Sequence, residues 1–153
     1  MLEDLIWVLE RAFDRSGVFF IGELGEGQQH EEIVRLLSQR LDDKGIAVKP
    51  CDLGTTPTLP IQAFDGWFRQ AKALDRQAVL VVWSLERLPE QQLRKTLRWF
   101  SASREWLSQQ TTVGKVSIPV VLLVNRSMYR QYLARWAGDL LDCLLPPFEL
   151  SLQ

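Results

Sequence analysis

The chain has 153 residues, 46% hydrophobic and 24% charged, which suits one domain with a proper core and excludes a fibrous or intrinsically disordered chain. A formal net charge of -1 and a pI near 5.9 give no global pull toward nucleic acid or an anionic membrane, so neither is expected as a partner. No apolar run approaches the ~20 residues of a spanning helix, and the opening MLEDLIWVLERAF carries acids where a signal peptide carries bases, so a cytoplasmic location is expected.

Leu2 to Asp14 has helical spacing, with Leu2, Leu5, Ile6, Val8, Leu9, Ala12 and Phe13 apolar and Glu3, Asp4, Glu10 and Arg11 opposite. Gly17 is its stop signal. Val18 to Ile21 reads as a buried strand, followed by a glycine-rich loop with Gly22, Gly25 and Gly27. A helix from about Gln28 to Lys44 comes next, closed by Gly45. Ile46 to Cys51 is a strand placed near a sheet edge, because Pro50 has no N–H for a ladder.

Asp52 to Pro60 is a loop, and Ile61 to Leu74 a helix with Ile61, Phe64, Phe68 and Leu74 near one face. Ala78 to Trp83 is a continuous apolar run that suits a central parallel strand covered on both faces. After a turn from Ser84 to Pro89, Glu90 to about Leu107 is a helix burying Leu93, Leu97, Phe100 and Leu107. A polar loop, 109–117, leads to a second buried strand, Ile118 to Asn125. A helix comes after it from Ser127 to about Leu140, and Leu141 to Leu150 supplies the last strand.

Strands and helices in alternation imply parallel pairing with right-handed crossovers. The expected fold is α/β, a three-layer sandwich with a mainly parallel sheet, formed by a single domain over 1–153. Its ligand crevice lies at the carboxyl ends of the strands, where Gly22, Trp83 and Asn125 fall.

The segment Gly22 to Gln29 fits the glycines of the phosphate loop GxxxxGK[ST] and departs from its chemistry. Gln28 stands in the lysine position and brings no charge; Gln29 stands where a hydroxyl should hold Mg²⁺. Glu23 and Glu26 lie inside the expected loop, and Glu31 and Glu32 open the next helix. These carboxylates either occupy the place of an anion or are ordinary first-turn acids favoured by the helix dipole. A glycine-rich turn of a Rossmann-like or flavodoxin-like domain is the alternative to a phosphate loop.

The order of parts resembles the core of a P-loop NTPase of the AAA+ or STAND type. VFFIGELGEGQQ stands as the phosphate loop, AVLVVWSLERL in the Walker B place, IPVVLLVN ends on a sensor-like Asn125, and LLDCLLPPFEL is the last strand. The resemblance implies a five-stranded sheet of order 5-1-4-3-2. Carried onto this chain, the metal-holding acid corresponds to Trp83 and the water-orienting acid to Ser84. The chain is similar to inactive STAND domains of bacterial signalling and conflict systems. The resemblance therefore implies a catalytically inactive module with no catalytic residue, metal or cofactor, in which ATP binding is not expected. Its partner would be a protein, an effector or an active ATPase. The alternative is an enzyme with a non-standard nucleotide or NAD site at the strand ends, using Glu23, Glu26 or His30.

Other features carry less chemistry. His30 is the only histidine and has no evident nucleophile. Cys51 and Cys143 are neither a disulfide framework nor a metal set, and under the sheet order just given they fall on opposite edge strands. Arg94, Lys95, Arg98 and Arg104 form a basic stripe, read as a solvated face. Arg126, Arg130 and Arg135 are expected to pair with Asp139, Asp142 or neighbouring chains, an arginine finger being the alternative. Some of the tryptophans must reach the surface, since Trp99 and Phe100 are not expected to face the same core; exposed indoles would mark a partner surface.

Overall fold

The computed structural model describes residues 2–12, 19–25, 30–55, 63, 66–67, 69–71, 73–74, 76–100, 118–133, 135 and 148–150. In chain order the elements are α1 (Leu2–Ala12), β1 (Phe19–Leu24), α2 (His30–Asp42), β2 (Ala47–Asp52), β3 (Ala78–Trp83), α3 (residues 90–100), β4 (Val120–Asn125), α4 (Arg126–Met128) and β5 (Phe148–Leu150). A π-helical turn, Tyr129–Leu133, continues α4. Helical residues also occur at 63, 66–67 and 69–71.

The sheet has five strands in the order β2-β3-β4-β1-β5, every pair parallel. Read from the other edge this is 5-1-4-3-2, the expected order. β3 and β4 lie inside it, and their valines and leucines are buried from both sides. A strand covered on two faces has no polar side, which is why the sequence shows unbroken apolar runs there.

β2 is an edge strand, as Pro50 suggests. The Ala47 N–H donates to the Gln77 carbonyl at 2.8 Å, so residues 47, 49 and 51 turn their backbone groups toward β3. Pro50 falls in the alternate register, facing outward, where a missing N–H leaves no ladder bond unmade.

Alternation divides the core into two layers. Val79, Val81, Trp83, Val121, Leu123, Phe20, Leu24 and Leu150 face α1 and α2, meeting Leu5, Leu9, Ile33, Leu37 and Leu41. On the other side Leu80, Val82, Leu122, Val124 and Ile21 meet Ala71, Leu93, Leu97, Phe100 and Leu133. Burial of aliphatic groups on both sides, at roughly 25 cal/mol per Å² of apolar surface, is the main force holding the layers together.

The end of α2 shows how local sequence sets an element. Gly45 has φ of 78°. Its N–H donates to the Asp42 carbonyl and the Ile46 N–H to the Leu41 carbonyl, both at 2.9 Å. This is a Schellman ending, which needs the left-handed region at Gly45 and brings Leu41 and Ile46 into one apolar cluster. Ion pairs Arg40–Glu3 and Lys44–Glu10 tie α2 and the turn after it to α1 at the surface, where such pairs contribute ~0–1 kcal/mol each.

Two packing expectations are corrected. Trp99 is half-buried against the cluster that contains Phe100, their ring centroids 5.4 Å apart, so both side chains serve one core. Leu74, expected on a buried face, is exposed; Trp67 and Ala71 do the packing there. Leu107 and the sequence-predicted helix beyond 100 lie outside the described residues, as do Ile61, Phe64, Phe68, Arg104 and Cys143.

Candidate functional site

The candidate site is the crest formed by the carboxyl ends of the parallel strands. Leu24, Asp52, Trp83, Asn125 and Leu150 end β1, β2, β3, β4 and β5. A parallel sheet places its crevice there, under the N-termini of the helices that come next in the chain.

β1 runs on to Leu24 instead of stopping at Ile21, so Gly22 and Glu23 are strand residues. Gly22 stands in register with Leu123 on one side and Phe148 on the other. A Cβ added to it would lie 2.7 Å from Leu150 Cδ1 and 2.8 Å from Leu123 Cδ2. Close approach of two leucines, not a loop conformation, makes glycine fit here. Gly25 follows Leu24 directly, as exposed coil. Glu26, Gly27, Gln28 and Gln29 lie outside the described residues.

At the end of β3, Trp83 is 9% exposed and belongs to the α1/α2 core layer. Its Nε1–H is buried with no hydrogen-bond acceptor among the described residues. An indole is a donor only and has no lone pair for a hard cation. Ser84 is buried and holds φ 69°, ψ 26°, the left-handed region that residues with a Cβ avoid. That bend turns the chain into a 3₁₀ turn, Leu85–Arg87, with Leu85 plugged into the opposite core layer.

The turn after β3 meets the first turn of α2. Glu86 Oε1 lies 3.6 Å from His30 Nδ1, and the Arg87 guanidinium 3.9 Å from Glu31. Glu32 is exposed beside them. His30, the residue that opens α2, is thus held against a carboxylate supplied by β3's turn. Glu86 falls within the turn from Ser84 to Pro89 that the sequence reading left without chemistry; its spacing of three from Trp83 was the available signal.

On β2 the Asp52 carboxylate accepts the Gly54 N–H at 2.9 Å, which shapes the turn beside the crest. Gly54 packs so closely that an added Cβ would lie 2.8 Å from Arg87 Cδ. Cys51, also on β2, is buried and its thiol donates to the Lys49 carbonyl at 3.4 Å. Burial pushes its pKa up to about 12, against a smaller opposing pull from the Lys49 charge.

The other end of the crest is set by Arg126. Its Nε–H donates to Glu23 Oε1 at 2.8 Å, and Nη2 lies 3.9 Å from Glu149. Arg126 therefore pairs with acids of β1 and β5; Asp139 and Asp142, the partners the sequence suggested, lie outside the described residues. Asn125, just before it, is half-buried and in register with Leu24.

The structure thus brings Trp83, Ser84 and Asn125 to one edge with His30, Glu23 and Glu86, and moves Gly22 into the sheet. Glu23 and Glu86 each face a cationic or basic partner within 4 Å. Among the described residues no group of three or more His, Cys, Asp or Glu side chains is placed to hold a metal ion. No described helix is long and apolar enough to cross a membrane.

No family model matches the chain, and no curated protein does. Solved structures do. The chain superposes on a chain from Drosophila ORC bound to poly(dA/dT) DNA and Cdc6 with a TM-score of 0.59 at 16% identity, covering 98% of this chain and 28% of that one. A chain from Drosophila ORC bound to GC-rich DNA and Cdc6 gives 0.58 at 16%, covering 98% and 28%. Drosophila ORC bound to DNA gives 0.59 at 13%, covering 99% and 29%. The chain spans less than a third of the length of these neighbours.

The neighbours correct one expectation. Near-neutral charge suggested that nucleic acid is not a partner, yet chains of this fold are found in DNA-bound assemblies. Net charge is a whole-molecule average and does not report the local faces that meet phosphate. At these identities the likeness is one of fold alone: the chain has an α/β fold on a five-stranded parallel sheet in the order β2-β3-β4-β1-β5, and it superposes on these ORC chains.

Proposed function

We propose that this chain is a catalytically inactive AAA+-type domain, of the degenerate STAND-like kind, that works as a protein-interaction or regulatory module. The observation that carries the reading is the end of β3. Where an active P-loop site presents a metal-holding acid and a water-orienting acid, this chain presents the buried indole of Trp83 and the bent backbone of Ser84. Catalysis of phosphoryl transfer is mostly positioning and charge stabilisation, and one preorganised donor is worth ~10²–10³ in rate. With Gln28 and Gln29 in the lysine and hydroxyl positions, the losses fall on parts that act as a unit.

The nearby carboxylates do not replace the missing ones in this reading, because Glu86 faces His30 and Glu23 faces Arg126. A scaffold of this kind retains surfaces for partners while giving up turnover, since fold and activity are separable.

A second reading rests on the His30–Glu86 pair. A carboxylate facing Nδ1 would orient the imidazole and leave Nε2 to take a proton, the arrangement an enzyme with a non-standard nucleotide or NAD site would use.

Titration of the full chain with ATP and Mg²⁺, monitored by calorimetry and phosphate release, tests both. The proposal expects no turnover from the parent or from Gln28→Lys, because Trp83 still ends β3. Turnover by the parent overturns it, and turnover abolished by Glu86→Gln would favour the second reading. NAD cleavage by the parent, lost in His30→Gln, would do the same.

A further inference from the structure

α3 has two chemically distinct faces. Leu93, Thr96, Leu97 and Phe100 are buried, and Thr96 satisfies its hydroxyl by donating to the Gln92 carbonyl at 2.7 Å. On the far side Gln91, Arg94, Lys95 and Arg98 are exposed. At ~3.6 residues per turn, Arg94, Lys95 and Arg98 fall within an arc of about 100°, with Gln91 in the same arc one turn earlier. Glu90 lies outside that arc, and no other acid occurs over residues 90–100.

Several exposed cations elsewhere in the described residues have carboxylates within 4 Å: Arg11 with Glu10, Arg40 with Glu3, Lys44 with Glu10, Arg76 with Asp42, Arg87 with Glu31 and Arg126 with Glu23. Lys95 and Arg98 make no such pair among the described residues. Their charge is left facing outward on a helix anchored to the core by Leu93, Leu97 and Phe100.

We infer that this face of α3 docks on the phosphate backbone of duplex nucleic acid. The arc holds only polar residues, and Trp99 beside it is turned into the core cluster. A protein partner would need an apolar or aromatic anchor at the centre of its contact, which the arc does not provide. Phosphate docking needs none, because it is electrostatic and independent of sequence. From Arg94 to Arg98 the helix advances about 6 Å, a length over which a duplex presents roughly three or four charges at one per ~1.7 Å. The inference stands on the helix face alone and holds whether or not the strand ends bind nucleotide.

The test is fluorescence anisotropy of the full chain with a labelled mixed-sequence DNA duplex, in a KCl series and without nucleotide. Contacts from the three side chains give a log–log salt slope of about -2.7, hence ~40-fold weaker binding between ~50 and ~200 mM salt. R94Q/K95Q/R98Q should flatten the slope by that amount, R94K/R98K should keep it, and Arg35→Gln on α2 should leave it unchanged. Circular dichroism melts confirm that the variants fold. An unchanged slope in the triple variant, no binding at the lowest salt, or preference for polyglutamate over the duplex with the same residue dependence would overturn the inference, the last pointing to an acidic protein.

Discussion

Arg126 and Glu23 are joined by a 2.8 Å hydrogen bond from the guanidinium Nε to the carboxylate Oε1, across 103 residues of sequence. Glu23 and Glu149 are Cα partners on β1 and β5, so two like charges would otherwise stand side by side with only strand spacing between them. The Glu23 side chain is 12% exposed, which leaves water little access to it. Arg126→Ala is therefore expected to destabilise the fold by ~1–3 kcal/mol, since it strands a mostly buried acceptor, and Glu23→Gln by less. Urea denaturation of both variants and their double mutant should show coupling; an additive cycle would mean that water replaces the guanidinium.

Gly22→Ala tests the packing role of the glycine. The added methyl meets Leu150 Cδ1 and Leu123 Cδ2 at under 3 Å, both at the ends of flexible side chains. Overpacking of this kind costs about 1–3 kcal/mol. Combining it with Leu150→Val should recover part of the loss, because the shorter side chain withdraws the closest atom. A loss of stability that Leu150→Val does not reduce would point to backbone conformation instead.

Trp83→Phe removes a buried donor that has no acceptor among the described residues, along with part of a core side chain. Large-to-small core changes destabilise, while an unsatisfied buried N–H costs ~1–3 kcal/mol to keep. The two nearly cancel, so a net change within about 1 kcal/mol is expected, whereas Trp83→Ala should lose ~3–5 kcal/mol. Thermal melts of both variants give the comparison.

The parts of the fold that sequence made legible are those decided by pattern alone. Unbroken apolar runs marked β3 and β4, Pro50 put β2 at an edge, and Gly45 closed α2 at the residue where a left-handed conformation is used. The end of β1 was not legible, because Gly22 reads as loop chemistry until Leu123 and Leu150 are seen to crowd it. The pairings of Arg126 with Glu23 and of His30 with Glu86 join elements far apart in the chain, and periodicity carries no information on them. The burial of Trp99 was not legible either, because a wide ring on a helix flank can reach the same core as its neighbour.

Cys51 gives a prediction in pH. Burial raises its folded-state pKa from 9.0 to about 12, only partly opposed by Lys49. For an acid whose pKa is raised by folding, the native state holds the proton longer than the unfolded chain does. Its contribution to stability is present below pH 9 and is lost progressively as pH rises from 9 toward 12. Cys51→Ala or Cys51→Val should show a weaker fall in stability over that window. Native protein should also resist iodoacetamide at Cys51 at about pH 8, with labelling appearing in urea. Rapid labelling of the folded chain at Cys51, seen by peptide mapping, would contradict this.

Ser84 is the non-glycine residue with positive φ among the described residues, and it sits where β3 breaks into its 3₁₀ turn. A Cβ in the left-handed region costs roughly 1–2 kcal/mol. Gly is free of that cost but gains conformational freedom in the unfolded chain, which offsets ~0.5–1 kcal/mol. Ser84→Gly should therefore be neutral or stabilising by up to ~1 kcal/mol, and Ser84→Val, branched at Cβ, should be clearly destabilising. Because the bend aims Glu86 at His30, a variant that straightens it should also separate that pair. Side-chain NMR correlations of the single histidine at one fixed pH read this directly: Ser84→Gly should leave the His30 cross-peaks as in the parent, while Ser84→Val and Glu86→Gln should both displace them. Unmoved His30 cross-peaks in Ser84→Val would show that the bend does not position Glu86.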